Sequence, residues 1–411
     1  MKTIFLLCML GMLACDRKLN EGTMSKQDAE KTDLTDVLWD INSLKKTPQY
    51  RYIDSTSRVR EILFQGPDYQ GKKTEVFAYY SNPDIIKTGK NLGHKFPGVV
   101  LISGGSQPAF KEWVERWAQE GYAAITCDYG NNRMDVNGGP INNDPQVRQA
   151  YRYDSIAHGP KAVRAYRVAS IVMQAHSLLL NFPEVEKNKT AVTGVSWGGF
   201  QTCLAIGLDN RFKAASPVYG CAFHDEIIFK KYFSAMTEEQ KNMWMDKIDP
   251  KNYMPYAQCP TLFITGDNDG CFDIVPFQKT TQLIPEKDRF YRITPNMGHD
   301  NPIGWRPQEI AAFFNSVMND GVPLPKVTEI IQKESNIEFA YASPLTIKKA
   351  DFYYSNDTIH INAERVWKHI PAKISPDKII CSLPKEGFIY GYLYMTDVKD
   401  LSTSSKLVIN N

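Results

Sequence analysis

The chain has almost no net charge: 48 Lys and Arg against 46 Asp and Glu leave +2 over 411 residues. That balance excludes the basic field by which proteins gather nucleic acid, so no nucleic-acid partner is expected. Histidine is scarce, at seven residues, which shortens any search for a catalytic base. No two of the eight cysteines form a C-x-x-C pair, so neither a zinc knuckle nor a dithiol redox motif is indicated. Repeats and low-complexity tracts are also missing. What remains is ordinary globular material, 43% hydrophobic and 23% charged, in a chain longer than one domain of about 100–200 residues.

The N-terminus reads as an export signal: Lys2, an apolar run over 4–13, then Met12-Leu13-Ala14-Cys15. The run is too short to span a bilayer. It resembles a bacterial lipoprotein signal, which implies cleavage before Cys15 and acylation of that residue, with Met12 standing where such signals usually carry Leu. On this reading residues 1–15 are signal and lipidation site, and 16–73 are a polar spacer and lead-in. The chain would be exported and held on a membrane by its lipid. A disulfide is open to an exported protein, with Cys221, Cys259 and Cys271 as the thiols to follow. Buried small hydrophobes are the commoner use of such residues.

From residue 74 onward short apolar strands alternate with helical patterns, which predicts an α/β fold with a doubly wound, mostly parallel sheet. Strands are expected at 98–102, 123–127, 190–195, 214–219, 261–265 and 289–293. Helices are expected at 110–119, 161–180, 198–208, 276–283 and 307–318, with Pro276 and Pro307 in first turns. Two excursions break the rhythm: an Asn/Gly-rich loop at 130–144, and a Met- and aromatic-rich segment at 221–256 that suits a lid or pocket wall. After Pro323-Leu324-Pro325 the pattern becomes alternating, so 74–325 reads as the main domain and 326–411 as a small C-terminal all-β domain. Trp367, Tyr390, Tyr392 and Tyr394 in that region either stack on sugars or face a sheet core.

Gly194-Val195-Ser196-Trp197-Gly198-Gly199 follows an apolar strand and opens a helix. This is the context in which a serine is held on a tight turn at a strand's C-terminal end, with helix amides facing the reacting carbonyl. Ser196 is therefore the candidate nucleophile. His299 follows the last strand and precedes a helix, where a base belongs. His94, His158 and His176 come before the serine, His360 and His369 fall in the β region, and His224 suits a pocket. The acid should leave the strand ending at Gly266, where Asp267, Asp269 and Asp273 all qualify. Gly105, in Ser103-Gly104-Gly105-Ser106, and Trp197 are the candidate amide donors to an oxyanion. Trp197, Phe223 and His224 are candidates to line a substrate pocket.

With these pieces in place, 74–327 resembles the acetyl xylan esterase and dienelactone hydrolase branch of the α/β-hydrolases. The likeness rests on 97–105 followed by Ala109-Phe110-Lys111-Glu112-Trp113, the 194–199 turn, 266–269, and His299 with Gly304-Trp305-Arg306-Pro307. It implies that the acid stands three residues after the strand-end glycine, which selects Asp269. It also implies hydrolysis of a carboxylic ester, often an acetyl group on a plant-type polysaccharide, without a cofactor. Relatives usually carry His-Gly-Gly where this chain has Ser103-Gly104-Gly105, so a buttressing side chain is replaced while the donor amides persist. Two other readings share these features: a prolyl oligopeptidase-type peptidase, which normally has a large propeller ahead of the sheet, and a catalytically silent glycan-binding lipoprotein.

Overall fold

A computed structural model describes residues 17–18, 37–68, 73–105, 107–129, 153–227, 230–359 and 361–410. Cys15, the 130–144 loop and His360 lie outside them. In chain order the main α/β region contains α1 (Ile41–Leu44), β2 (Tyr50–Asp54), β3 (Arg60–Gln65), β4 (Glu75–Ser81), α2 (Pro83–Thr88), β5 (Phe96–Ile102), α3 (Lys111–Gln119) and β6 (Ala123–Cys127). There follow α4 (Arg164–Asn181), β7 (Val185–Val195), α5 (Trp197–Leu208), β8 (Ala214–Val218), α6 (Lys230–Phe233), α7 (Glu238–Lys247), β9 (Thr261–Gly266), α8 (Ile274–Thr281), β10 (Arg289–Thr294), α9 (Asn301–Trp305) and α10 (Glu309–Met318). Short β1 (Arg17–Lys18) pairs with a C-terminal strand.

The nine-stranded sheet has the order β10-β9-β8-β7-β5-β6-β4-β3-β2. Pairs from β10 through β6 are parallel, and β4, β3 and β2 continue antiparallel. The sheet therefore begins at Tyr50, not near residue 74, and the expected spacer gives up two strands. They were hidden because no helix separates them, so the β-α rhythm does not reach them, and because β2 is an exposed edge strand without an apolar face. Pro307 also sits just ahead of α10 and not in its first turn.

β5 has β6 on one side and β7 on the other, so the chain reverses its winding between β5 and β7. Crevices outside the carboxyl ends of strands at such a switch point are where α/β proteins bind ligands. The loops after β5 and β7 start at that crevice. Every residue of α5 is buried, because the helix lies between two cores. Cys203, Ala205 and Ile206 join the main sheet core. Trp197, Phe200, Leu204 and Leu208 join a second cluster with Trp39, Phe233, Trp244 and Tyr253. The 221–256 segment is thus anchored by its own aromatics, with α7 started by a Thr237–Gln240 capping box.

The C-terminal region holds β11 (Lys326–Gln332), β12 (Asn336–Ala342), β13 (Ile347–Ser355), β14 (Lys368–Pro371), β15 (Lys373–Ile374), β16 (Lys378–Ser382), β17 (Tyr390–Asp397), β18 (Ser402–Ser404) and β19 (Val408–Ile409). They form two sheets, β1-β11-β12-β16-β15 and β14-β13-β17-β18 with β19 on β17. Phe339, Ile379, Phe352, Leu393 and Met395 fill the space between them. The small all-β domain is therefore a sandwich. Tyr392 is fully buried and stacked on Tyr353 at 5.3 Å, in a cluster with Ile274 and Ile293 of the α/β region. Its ring serves packing between the two halves and not sugar stacking. Among the described residues no helix is long and apolar enough to cross a membrane.

Candidate active site

Val195 ends β7, and Ser196 turns the chain directly into α5 with φ 60° and ψ −119°. This is a strained conformation for a residue bearing a side chain. It is held by the hydrogen bond from Ser196 N–H to the Val218 carbonyl (2.9 Å) and by the contact of bare backbones around it. A Cβ on Gly198 would lie 2.0 Å from the Ile102 carbonyl oxygen, and one on Gly194 would lie 2.2 Å from that of Gly198. The glycines thus let the turn press against the end of β5 while the serine hydroxyl projects.

The hydroxyl meets His299: Nε2 lies 2.8 Å from Ser196 Oγ, and Nδ1 lies 2.8 Å from Asp269 Oδ2. Asp269 is buried, and its other oxygen accepts the N–H groups of Cys271 and Phe272, both at 2.7 Å. Burial opposes a charge on His299, but the hydrogen bond to the Asp269 carboxylate and the neighbouring Cys271 thiol outweigh it and raise the imidazole's pKa. The structure separates the three aspartates cleanly. Asp267 accepts hydrogen bonds from Tyr392 Oη (2.8 Å) and Asn296 N–H (2.7 Å), and Asp273 caps α8. Only Asp269 faces His299. Burial pushes the Asp267 carboxyl up to about 6, against the lowering effect of those two donors.

Trp197 is the first residue of α5, so its amide lies in the helix's first turn, where the N–H groups point out of the N-terminus beside Ser196. Gly105 is in the left-handed region with φ 49° and its carbonyl accepts from the Arg164 guanidinium. The loop that carries it touches the serine turn, since a Gly198 Cβ would also meet the Ser103 carbonyl oxygen at 2.9 Å. The indole of Trp197 stacks on Phe200 at 4.6 Å, and the fully buried His224 stacks on Phe200 at 4.2 Å. Both side chains therefore act as core, which corrects the expectation that they line a pocket; burial pushes His224 down to about 3 and keeps it neutral. Phe223, half-buried with φ 59°, remains the accessible one of the three.

Sequence reasoning missed several neighbours. Cys271 lies beside the triad, and one ligand atom each of Asp269, Cys271 and His299 falls within 4.8 Å of the others, the set among the described residues that is close enough to share an ion. None of the thiols expected as disulfide candidates is paired, and Cys221 and Cys259 are buried. A cavity of about 920 Å³ opens beside the acid loop, walled by Ile227, Phe233 and Met245 of the 221–256 segment, by 269–271, and by Ile361 and Asn362 of the β domain. Nothing in the sequence pointed to Asn362. Trp367 and Tyr392 had shown only as alternating aromatics.

Similarity to known proteins follows the same residues. The acetyl xylan esterase from Paenibacillus sp. R4 superposes with a TM-score of 0.53 at 18% identity, covering 72% of this chain and all of that one. The fold is that of the α/β-hydrolases. A model of the prolyl oligopeptidase family matches residues 167–317, the stretch from α4 to α10 that carries Ser196, Asp269 and His299. The uncharacterized peptidase YuxL of Bacillus subtilis is 29% identical over 145 residues, 31% of this chain and 21% of its own length. This α/β-hydrolase chain thus spans about a fifth of that curated relative. A puromycin-hydrolyzing peptidase of Mycobacterium tuberculosis aligns at 16% identity and a TM-score of 0.49, covering 64% of this chain and 40% of that one. The catalytic core is that of a serine hydrolase of the α/β-hydrolase superfamily.

Proposed function

We propose that the chain hydrolyses carboxylic esters through an acyl-enzyme on Ser196, with acetylated carbohydrate of the xylan type as its substrate class. The observation that carries the chemistry is the continuous hydrogen-bond line Ser196 Oγ, His299, Asp269, each link 2.8 Å. His299 takes the hydroxyl proton as Oγ attacks the carbonyl, and Asp269 holds the imidazole's tautomer and supports its positive form. The amides of Trp197 and Gly105 receive the oxyanion, and the alcohol leaves with the proton from His299. Water, deprotonated by the same imidazole, then frees the acid. Coverage of the whole Paenibacillus esterase favours the ester reading. A peptidase is the second reading, favoured by the family match over 167–317 and by YuxL.

The test compares wild type and Ser196→Ala on p-nitrophenyl acetate, acetylated xylan and a panel of peptide p-nitroanilides. Ester and acetate release abolished by the substitution, at unchanged melting temperature, is the expected result. Turnover of anilides alone would move the assignment to the peptidase, and identical behaviour of the two proteins would remove Ser196 from the mechanism. The signal-like 1–15 segment further supports export with a lipid on Cys15; Cys15→Ser should shift the protein from membrane to soluble fractions, and an unchanged distribution would end that proposal.

A further inference from the structure

The loop that carries the catalytic acid is gripped from outside the hydrolase domain. It leaves β9 at Gly266 and reaches α8 at Ile274, and its own bonds to the sheet are few: Asp267 N–H to the Thr294 carbonyl (3.2 Å) and Asp269 N–H to that of Gly266 (3.3 Å). The β domain adds several more. Asn362 Nδ2 donates to the Asp269 carbonyl (3.0 Å), and Trp367 Nε1 donates to the Asp267 carbonyl (3.0 Å). Asn268 Nδ2 faces the carbonyls of Asn362, Ala363 and Arg365 at 3.0–3.4 Å. Tyr392 Oη donates to one oxygen of the Asp267 carboxyl, while the other oxygen takes the N–H of Asn296, three residues before His299. Tyr392, Asn362 and Asp267 are all buried.

We propose that the C-terminal β domain completes the active site, with Asn362 and Tyr392 as positioning residues that set the acid loop and, through Asp267, the histidine loop. The inference rests on the triad reading above. Its physical basis is the sensitivity of catalysis to placement, since a shift of about 1 Å in a reacting group can cost ~10²-fold in rate. Asp269 is fixed to its own loop by the N–H groups of Cys271 and Phe272, so wherever the loop goes the carboxylate goes too. A hydrogen bond to that loop's backbone therefore fixes the Asp269–His299 distance without touching substrate. The same interface also contains bonds remote from the loop, such as Leu407 N–H to Gln278 Oε1 (2.9 Å), and these supply the control.

The experiment measures Tyr392→Phe, Asn362→Ala and the control Gln278→Ala in the full-length protein, following p-nitrophenyl acetate turnover from pH 5 to 10 and melting temperature. The two loop variants should lose tenfold or more in kcat with KM within twofold, and the acid limb of kcat/KM should move to lower pH as the imidazolium loses support. Gln278→Ala should keep the wild-type kcat and pH profile. Wild-type kinetics in both loop variants, or the same loss in Gln278→Ala at equal melting temperature, would overturn the proposal. The downfield proton resonance of His299 Nδ1–H, which needs no substrate, gives a second readout and should shift in Tyr392→Phe. An unchanged resonance overturns the positioning role, whereas a wild type inactive on every ester with a shifted resonance overturns only the proposed reaction.

Discussion

At the scale of single residues, the assignment depends on which carboxylate faces the base. Asp269→Asn keeps the shape of the side chain but replaces a charge with an amide, which destabilises imidazolium and disturbs the tautomer that Ser196 needs. A loss of about 10³–10⁴-fold in kcat is expected. The sign of the pH effect follows from the mechanism: His299 works when neutral, so rate rises with pH through its pKa, and that pKa is raised while Asp269 is ionised. Removing the charge lowers it, and the acid limb of the residual activity should move to lower pH. A limb that stays put, measured on p-nitrophenyl acetate, would mean that Asp269 does not act on His299. Ser196 and His299 were legible in the sequence because strand–turn–helix context constrains them locally. Asp269 needed a family spacing, because three aspartates share one loop and their separate tasks appear only in space. Asn362 and Tyr392 were illegible: they reach the loop from 93 and 125 residues away, with no periodicity linking them to it.

Among the elements, the parallel strands and their helices were legible because buried strands read as short apolar runs between helical periods. β2 was not, since an exposed edge strand shows no apolar face, and buried β3 was not, since no helix separates it from its antiparallel neighbours and the β-α rhythm does not reach it. The 221–256 segment was recognised as an excursion, but its anchoring was not. Trp244 in α7 is 2% exposed and packs edge-on against Phe233 at 5.9 Å, in the cluster that receives one face of α5. Its ring therefore supports both the cavity wall and the helix whose first amide is proposed for the oxyanion. Trp244→Ala should cost about 3–5 kcal/mol in urea unfolding, the range for emptying a large aromatic site, and should lower kcat as well. A cost below about 1 kcal/mol would show that the segment folds back without that anchor.

For the molecule as a whole, the α/β domain and the sandwich meet over a seam, an apolar cluster of Ile274, Ile293, Tyr392 and Leu407 crossed by hydrogen bonds, and the buried Asp267 carboxyl lies among them. Burial raises this group above its ordinary value, to about 6, so the folded protein binds a proton there more tightly than the unfolded chain does. Stability from this group is therefore greatest when the carboxyl is protonated in the fold, and declines as pH rises from about 4 through 6, where a charge must be kept in the seam. A shift of that size corresponds to roughly 3 kcal/mol. Asp267→Asn removes the titration while retaining an oxygen able to accept from Tyr392 or Asn296, so the variant's stability should lack that decline. Measured against wild type, the cost of the substitution should be larger at pH 4.5 than at pH 8. The opposite order would mean that Tyr392 and Asn296 hold the ionised carboxylate more tightly than water does, making the seam a stabilising anion site. In that case acid, not base, would loosen the grip of the β domain on the catalytic loop.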